Sequence, residues 1–339
     1  MGLMEHQYVE RATGRVMTER LTADRWVNLL YAEVRENIPF LFRTLTGARA
    51  SSLFGELWFD RRHGSLRKAA ARLMRQWGVD PAELYDDPTA LNTPEKLFCR
   101  RIRYWETRPL PADAKAVVAA ADSRVLVGSL RETSALYVKN KFFSFEELLG
   151  ADKSAWLDSF AYGDFALFRL TPDKYHYNHV PASGLVLDYY DIEGAYHSCN
   201  PEAVVRLVTP YSKNKRTVTI LDTDQPGGTG CGLVAMIEVA ALMIGDIYPC
   251  YSEERYDQPR PVRRGMFLKR GRPKSLFRPG SSTVILLFEP ERVRFEEDLV
   301  ANQRVAGVKT RFSAGFGRPL VETDLRVRSS VGRAVINCY

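Results

Sequence analysis

Apolar residues recur at helical spacing in the first third of the chain and in short dense runs after it. Between Thr22 and Leu45, the residues Trp26, Leu29, Leu30, Val34, Ile38 and Leu41 fall near a 3.6-residue period, which predicts an amphipathic helix. Thr22 or Asp24 can cap its start, Gly47 can stop it, and Pro39 is expected to kink or split it. Ser65 to Trp77 reads as a basic amphipathic helix ended by Gly78, with Leu66, Ala69, Leu73 and Trp77 on one face. Pro94 to Trp105 reads as a third helix, with Thr93 as its cap and Pro94 in its first turn. Arg108-Pro109-Leu110-Pro111 breaks the pattern and reads as a linker.

Beyond Pro111 the period changes. Strand-like runs occupy Arg124–Val127, Leu136–Val138, Phe165–Leu170, Leu185–Tyr190, Thr217–Leu221, Leu233–Val239 and Thr283–Phe288, separated by turn signals such as the glycine-rich segment Gln225 to Gly230. The chain therefore reads as α+β: a helical region over residues 1–110, then a mostly antiparallel β domain over 111–339.

Composition narrows the class. Of 339 residues, 45% are hydrophobic and 26% charged, which excludes global disorder and leaves enough apolar material for a core without disulfide staples. The net charge of +7 suits an anionic surface or an acidic ligand. No block of five basic residues occurs, so nucleic acid is not an expected partner. The five cysteines are scattered with no C-x-x-C pair, which predicts free thiols and a cytoplasmic protein rather than a zinc ribbon. The first twenty residues lack the apolar stretch of a signal peptide, and the longest apolar run, 232–247, is interrupted by Glu238 and Asp246 and is too short to span a bilayer.

Three features can carry chemistry. Two of the five histidines stand together in Tyr175-His176-Tyr177-Asn178-His179; histidine moves protons near neutral pH, and it is equally at home buried in hydrogen bonds. Gly280-Ser281-Ser282 immediately precedes an apolar strand, as any tight turn can. Asp122 stands at the start of a strand, where a turn aspartate accepts backbone N–H groups. Each alone has a plain structural explanation. Together they supply a nucleophile, a base and an orienting carboxylate.

The order of these features along the chain resembles that of the phosphatidylserine decarboxylase family. Leu97-Phe98-Cys99-Arg100 and Arg108-Pro109 resemble its FFxR and RP segments; Ala121-Asp122 resembles its PADG segment, with Ser123 in place of glycine. The run from Leu170 to Pro181, with Gly184, resembles the block LSPxDYHRxHxPxxG, and Arg270-Gly271, Phe277 and the run from Gly280 to Ile285 resemble KGxExGxFxxGSTVI. The likeness covers residues 65 to 315.

That resemblance implies a pyruvoyl cofactor made from the chain itself. A serine Oγ attacks the preceding carbonyl, turning the amide into an ester. β-Elimination then splits the chain and leaves dehydroalanine, which hydrolyses to a pyruvoyl group with loss of ammonia. The likeness places His179 as the base and Asp122 behind it, with His176 or His179 returning a proton after CO2 leaves a Schiff base with the substrate amine. Counting from Gly271 and Phe277 makes Ser281 the nucleophile; counting back from Thr283 and Phe288 makes it Ser282. Strand register favours Ser282, which gives chains of 1–281 and 282–339, and Ser-Ser cleavage resembles that of pyruvoyl-dependent histidine decarboxylases.

Two departures stand out. Tyr177 replaces the arginine of the family's YHR, and Gly271-Arg272-Pro273-Lys274 carries a base where the family's segment carries an acid. The long N-terminal region resembles the soluble branch that decarboxylates free amino acids, so the expected substrate is phosphatidylserine or a small amino acid. The basic helix over 65–77 is either a peripheral membrane contact or a solvated helix on the core. The family likeness also implies a homodimer. The competing readings are a non-catalytic binding or scaffold relative that stays uncleaved, and a metal hydrolase using His176, His179 and Asp122.

Overall fold

The computed structural model describes residues 4–21, 24–38, 40, 45–46, 66–131, 142–207, 209–241, 246–280 and 282–335. Sixteen strands follow one another among the described residues. They are β1 (Gln7–Glu10), β2 (Val16–Thr18), β3 (Ala116–Val118), β4 (Ser123–Ser129), β5 (Asp164–Leu170) and β6 (Tyr177–His179). Then come β7 (Gly184–Ile192), β8 (Arg216–Asp222), β9 (Leu233–Ala240), β10 (Ile247–Pro249) and β11 (Phe267–Leu268). The last are β12 (Pro273–Phe277), β13 (Ser282–Phe288), β14 (Val293–Phe295), β15 (Thr323–Leu325) and β16 (Ser330–Ala334).

Ten of them form one sheet in the order β11-β7-β8-β9-β13-β5-β4-β15-β1-β2, and two three-stranded sheets, β10-β12-β6 and β14-β16-β3, accompany it. The fold is α+β, with antiparallel pairing throughout the centre of the large sheet. Strand β13 lies between β9 and β5, and all seven of its residues are buried. A strand buried on both faces needs no polar alternation, which is why Ser282 to Phe288 reads as one apolar run. Its side chains still divide by parity. Val284, Leu286 and Phe288 enter the core that holds Phe277, Val180 and Ala119 to Ala121; Ile285 and Leu287 enter the core that holds Phe145, Phe160, Tyr211 and Phe312. The large sheet is thus the middle layer, with small sheets on one face and short helices on the other. Each fully buried Leu, Ile or Phe on this strand contributes about 1.5–3 kcal/mol, as an upper bound against a compact unfolded chain.

Three expectations change. Residues 4–21 hold no helix: β1 and β2 form a hairpin whose inner strand runs parallel to β15, so this segment is part of the large sheet. The segment 94–105 is two helices, Pro94–Phe98 and Tyr104–Thr107. Thr93 does cap the first, accepting from the Lys96 N–H at 3.2 Å, but Ile102 bridges to Leu84 and the Tyr85 N–H donates to the Arg101 carbonyl, which breaks the helix. The amphipathic helix near residue 30 runs Asp24–Asn28, Leu29–Val34, Arg35–Asn37, its middle turn π-helical. Thr22, Pro39, Gly47 and the expected strand Leu136–Val138 lie outside the described residues. The basic helix is Leu66–Gln76; Leu73, Met74 and Trp77 pack against the core and leave Arg72 and Arg75 in solvent. Cys99, Cys199, Cys231 and Cys250 are free thiols, while Cys338 lies outside the described residues.

Candidate active site

The site lies where the small sheet β10-β12-β6 meets the large one. Strand β6 pairs with β12, His179 opposite Pro273 and Tyr177 opposite Leu276. The His176 carbonyl accepts the Phe277 N–H at 3.1 Å, so His176 sits beside the end of β12, from which the chain turns into β13. Gly280 in that turn has φ +153°, backbone that side-chain-bearing residues rarely adopt. Ser282 opens β13 opposite Leu170 on one side and Ala240 on the other. By parity it points to the face of Val284 and Leu286, the face that the β6 segment also covers. Ser282 is fully buried and its Oγ has no hydrogen-bond partner among the described residues. A buried hydroxyl normally finds one, so this group is held at a cost and is not tied into the scaffold. Ser281 lies outside the described residues.

Both site histidines are fully buried. His176 stacks on Phe98 with ring centroids 3.6 Å apart, and its Nδ1–H donates to the Lys174 carbonyl at 2.8 Å. That leaves Nε2 as a bare lone pair, and it too is buried without a partner. Burial pushes this imidazole down to about 3, Arg100 adds to the shift, and the Lys174 carbonyl opposes it. His179 donates from Nδ1 to the Gly271 carbonyl at 3.0 Å, and its Nε2 lies 3.0 Å from the Tyr175 hydroxyl. Burial brings it to about 3 as well, against the favourable Gly271 contact. Both rings are neutral at physiological pH, the form that accepts a proton. Gly271 has to be glycine, for φ is +71° and a Cβ would meet the Leu110 side chain at 2.7 Å.

Asp122 is ionised. Burial alone would raise its pKa, but the Arg108 guanidinium outweighs that and holds it below the usual carboxylate range. Arg108 donates twice to it, at 3.1 and 2.9 Å, and the Val327 N–H adds a third hydrogen bond at 2.7 Å. The same guanidinium grips Glu83 at 3.1 and 3.0 Å. Arg108 is therefore the centre of a buried ion network and not a linker residue. The backbone N–H of His179 donates to the Ala120 carbonyl at 2.7 Å, which docks β6 on the segment that carries Asp122. The carboxylate does not bond the imidazole: both ring nitrogens of His179 have other partners, and Asp122 acts on it through its charge, which favours protonation. Topology thus brings Ser282, His176, His179 and Asp122 to one interface, with neither histidine bonded to the serine.

Several contacts here depend on partners that the pattern of the sequence does not reveal. Lys274 is fully buried and pairs with Glu238 of β9, which Ser275 and Asn178 also contact, Asn178 at 2.9 Å. The base that departs from the family's segment is thus matched by an acid on the central sheet. Tyr256 bonds the Tyr175 hydroxyl at 2.8 Å from a separate loop.

Comparison with known proteins gives this arrangement its context. Residues 95–313 match the family model described as phosphatidylserine decarboxylase. The chain belongs to the phosphatidylserine decarboxylase family. A phosphatidylserine decarboxylase proenzyme of Chlamydia trachomatis (serovar L2) is 30% identical over 321 residues, 93% of this chain and 97% of its own. The namesake of Chlamydia pneumoniae is 29% identical over 314 residues, 92% and 96% of the two chains. That of Bordetella petrii is 31% identical over 240 residues, 67% and 80%. Like the other members of the phosphatidylserine decarboxylase family, the chain is a carboxy-lyase, and Asp122, His176, His179 and Ser282 all fall inside the matched span.

Proposed function

We propose that this protein cleaves itself before Ser282 and decarboxylates phosphatidylserine with the pyruvoyl group so formed. The observation that carries the reading is the buried, unpartnered Ser282 hydroxyl on the histidine face of the central strand. No hydrogen bond has to be broken before that hydroxyl can act as a nucleophile, and it stands at the position that the family likeness marks for cleavage. The same interface carries two buried imidazoles in the neutral form, which supplies the base that a nucleophilic serine needs.

In this reading the Ser282 Oγ–C bond forms as the amide C–N bond of residue 281 breaks, and a neutral imidazole holds the hydroxyl proton in the interval, the role assigned to His179. Elimination and hydrolysis then consume one water and release ammonia. The pyruvoyl group, once present, supplies an electrophilic carbonyl and an electron sink for loss of CO2. The chain's own part is to hold His176 Nε2 bare, so that it can take a proton from the substrate ammonium group and return it to the substrate carbon. Arg108 keeps Asp122 ionised, so that a negative charge offsets the imidazolium when it forms.

Phosphatidylserine is favoured over a free amino acid because the N-terminal region is shared. The Chlamydia proteins bearing that substrate's name align over 92% or more of this chain, so the region does not set it apart as a soluble variant. Arg72 and Arg75 present a basic face suited to an anionic bilayer, and no helix among the described residues is long and apolar enough to cross one. The test is intact mass under denaturing conditions, paired with CO2 release from phosphatidylserine vesicles and from free amino acids. Two chains, the shorter beginning at residue 282 with a carbonyl-blocked terminus, and release from vesicles alone are expected. A single uncleaved, inactive chain would favour the scaffold reading, and release from free amino acids alone would overturn the substrate.

A further inference from the structure

His179 Nε2 has one lone pair, and the Tyr175 hydroxyl faces it. The chemistry of the contacts fixes the direction of each hydrogen bond. The Gly271 carbonyl can only accept, so the Nδ1 of His179 carries a hydrogen and the Nε2 of the neutral ring must accept from Tyr175. The Tyr175 oxygen then accepts from the Tyr256 hydroxyl, 2.8 Å away, and the Tyr256 oxygen accepts from the Ile102 N–H at 3.1 Å. The Ile102 carbonyl is satisfied by the Tyr104 N–H at 2.8 Å. Every group is paired.

Nε2 can take a proton only once the Tyr175 hydroxyl has turned off its lone pair, and that turn reverses the chain. Nε2–H donates to the Tyr175 oxygen, Tyr175 turns to donate to Tyr256, and Tyr256 turns to donate to the Ile102 carbonyl, which lies 2.8 Å from its hydroxyl. The Ile102 N–H keeps its bond. Every group is again paired, and no water is needed. We propose that Tyr175 and Tyr256 form a reversible hydroxyl relay, anchored on both backbone groups of Ile102, that lets buried His179 take up and return a proton with its hydrogen bonds complete in either state.

The alternative donor chemistry is closed. Tyr175 is fully buried and its phenol is pushed well above its ordinary range, first by desolvation and then by Tyr256, so it does not surrender its own proton. The charges that act on His179 are Arg328 and Arg108, which oppose its protonation, and Asp122, which favours it. None of them accepts the Nε2 hydrogen; only the relay does. Tyr175 and Tyr256 are thus positioning residues for the reading of His179 given above, on which the inference rests.

The test is Tyr256→Phe, which keeps the ring and does not touch His179. It leaves the Tyr175–His179 bond of the neutral state in place and strips the charged state of the acceptor for the Tyr175 hydroxyl. Cleavage of freshly translated chain, followed by denaturing electrophoresis between pH 5 and 9, is expected to slow about 10-fold, the size of one lost hydrogen bond. In a Tyr175→Phe background the same change should have no further effect on the profile, because the relay is already cut. Equal effects of Tyr256→Phe in both backgrounds, or an unchanged cleavage rate with only a lower melting temperature, would reduce Tyr256 to a brace for Ile102 and overturn the relay. His179→Asn separates the readings: if it cleaves normally, the assignment of His179 falls. If it does not cleave while Tyr256→Phe is unaffected, only the relay falls.

Discussion

Two buried histidine clusters flank the start of β13, and they are built in opposite ways. On the N-terminal side, His6 donates from Nε2 to Glu322 at 2.9 Å and accepts the Arg311 N–H at Nδ1, so both nitrogens are used. Arg169 of β5 bonds Glu322 at 2.9 and 2.5 Å and Glu19 at 3.0 and 2.7 Å, while Arg124 pairs with Glu19 at 2.7 Å and lies over the Tyr8 ring. Two guanidiniums meet two carboxylates across the hairpin, β4, β5 and the Glu322 end of β15. The groups His6, Glu19 and Glu322 lie close enough to hold a metal ion, but the two arginines already fill that role with charge. On the other side, Ser282 Oγ and His176 Nε2 are buried and bare. His6, with both nitrogens bonded, fastens the chain; the other cluster keeps one imidazole nitrogen and one hydroxyl available for chemistry. The difference lies in hydrogen-bond completeness, not in the burial of the histidines, which is nearly total in both.

The contrast predicts opposite responses to mutation. Ser282→Ala should abolish cleavage and decarboxylation while leaving thermal unfolding within a few degrees of the parent, since the lost hydroxyl bonds nothing; mass spectrometry and calorimetry read the two. A melting point far below the parent's would make Ser282 structural. His176→Leu should lower decarboxylation by about 10²–10⁴-fold, the usual span for a lost general acid. It should still permit cleavage, and a wild-type turnover rate would remove it from the site. Arg169→Met reverses the pattern. It leaves Glu19 and Glu322 facing each other without their shared cation, so denaturant titration should show a loss of about 3–5 kcal/mol, with cleavage intact in the folded fraction.

Much of the site is legible in the sequence alone. The apolar run from Thr283 to Phe288 marks the central strand, which the structure opens at Ser282. The spacing of His176 and His179 also puts both on one short segment. The features that escape are those that depend on distant partners. Arg108 sits in a Pro-rich break that looks like a linker, and only Asp122 and Glu83, folded against it, reveal an ion network. Gln7 to Thr18 is a hairpin because β15, over three hundred residues later, offers it an edge. Tyr256 lies in a loop with no motif around it. Local propensity cannot see a partner supplied by topology.

The finest test of the comparison is acid. His176 and His179 are brought from 6.5 to about 3 by burial, so the folded protein binds fewer protons than the unfolded chain throughout that interval. The stability they leave intact is whole above pH 6.5 and is lost as pH falls from there toward 3, by about 1.4 kcal/mol per pH unit for each ring. Burial brings His197 to about 4 and adds to the early part of that slope. The fastening cluster responds later. Glu19 is desolvated, which alone would raise it, but Arg169 and Arg124 hold it at about 2 against an ordinary 4.5, so its contribution survives until pH drops below 4.5. Denaturant midpoints measured from pH 7 to 3 should therefore fall in two stages. His176→Leu should flatten the slope between pH 6 and 5 by one ring's share, whereas Arg169→Met should leave that slope alone and alter the fall below 4.5. If His176→Leu leaves the upper stage unchanged, the ring is protonated in the folded protein. Its bare nitrogen would then not be the proton acceptor that the geometry of the site requires.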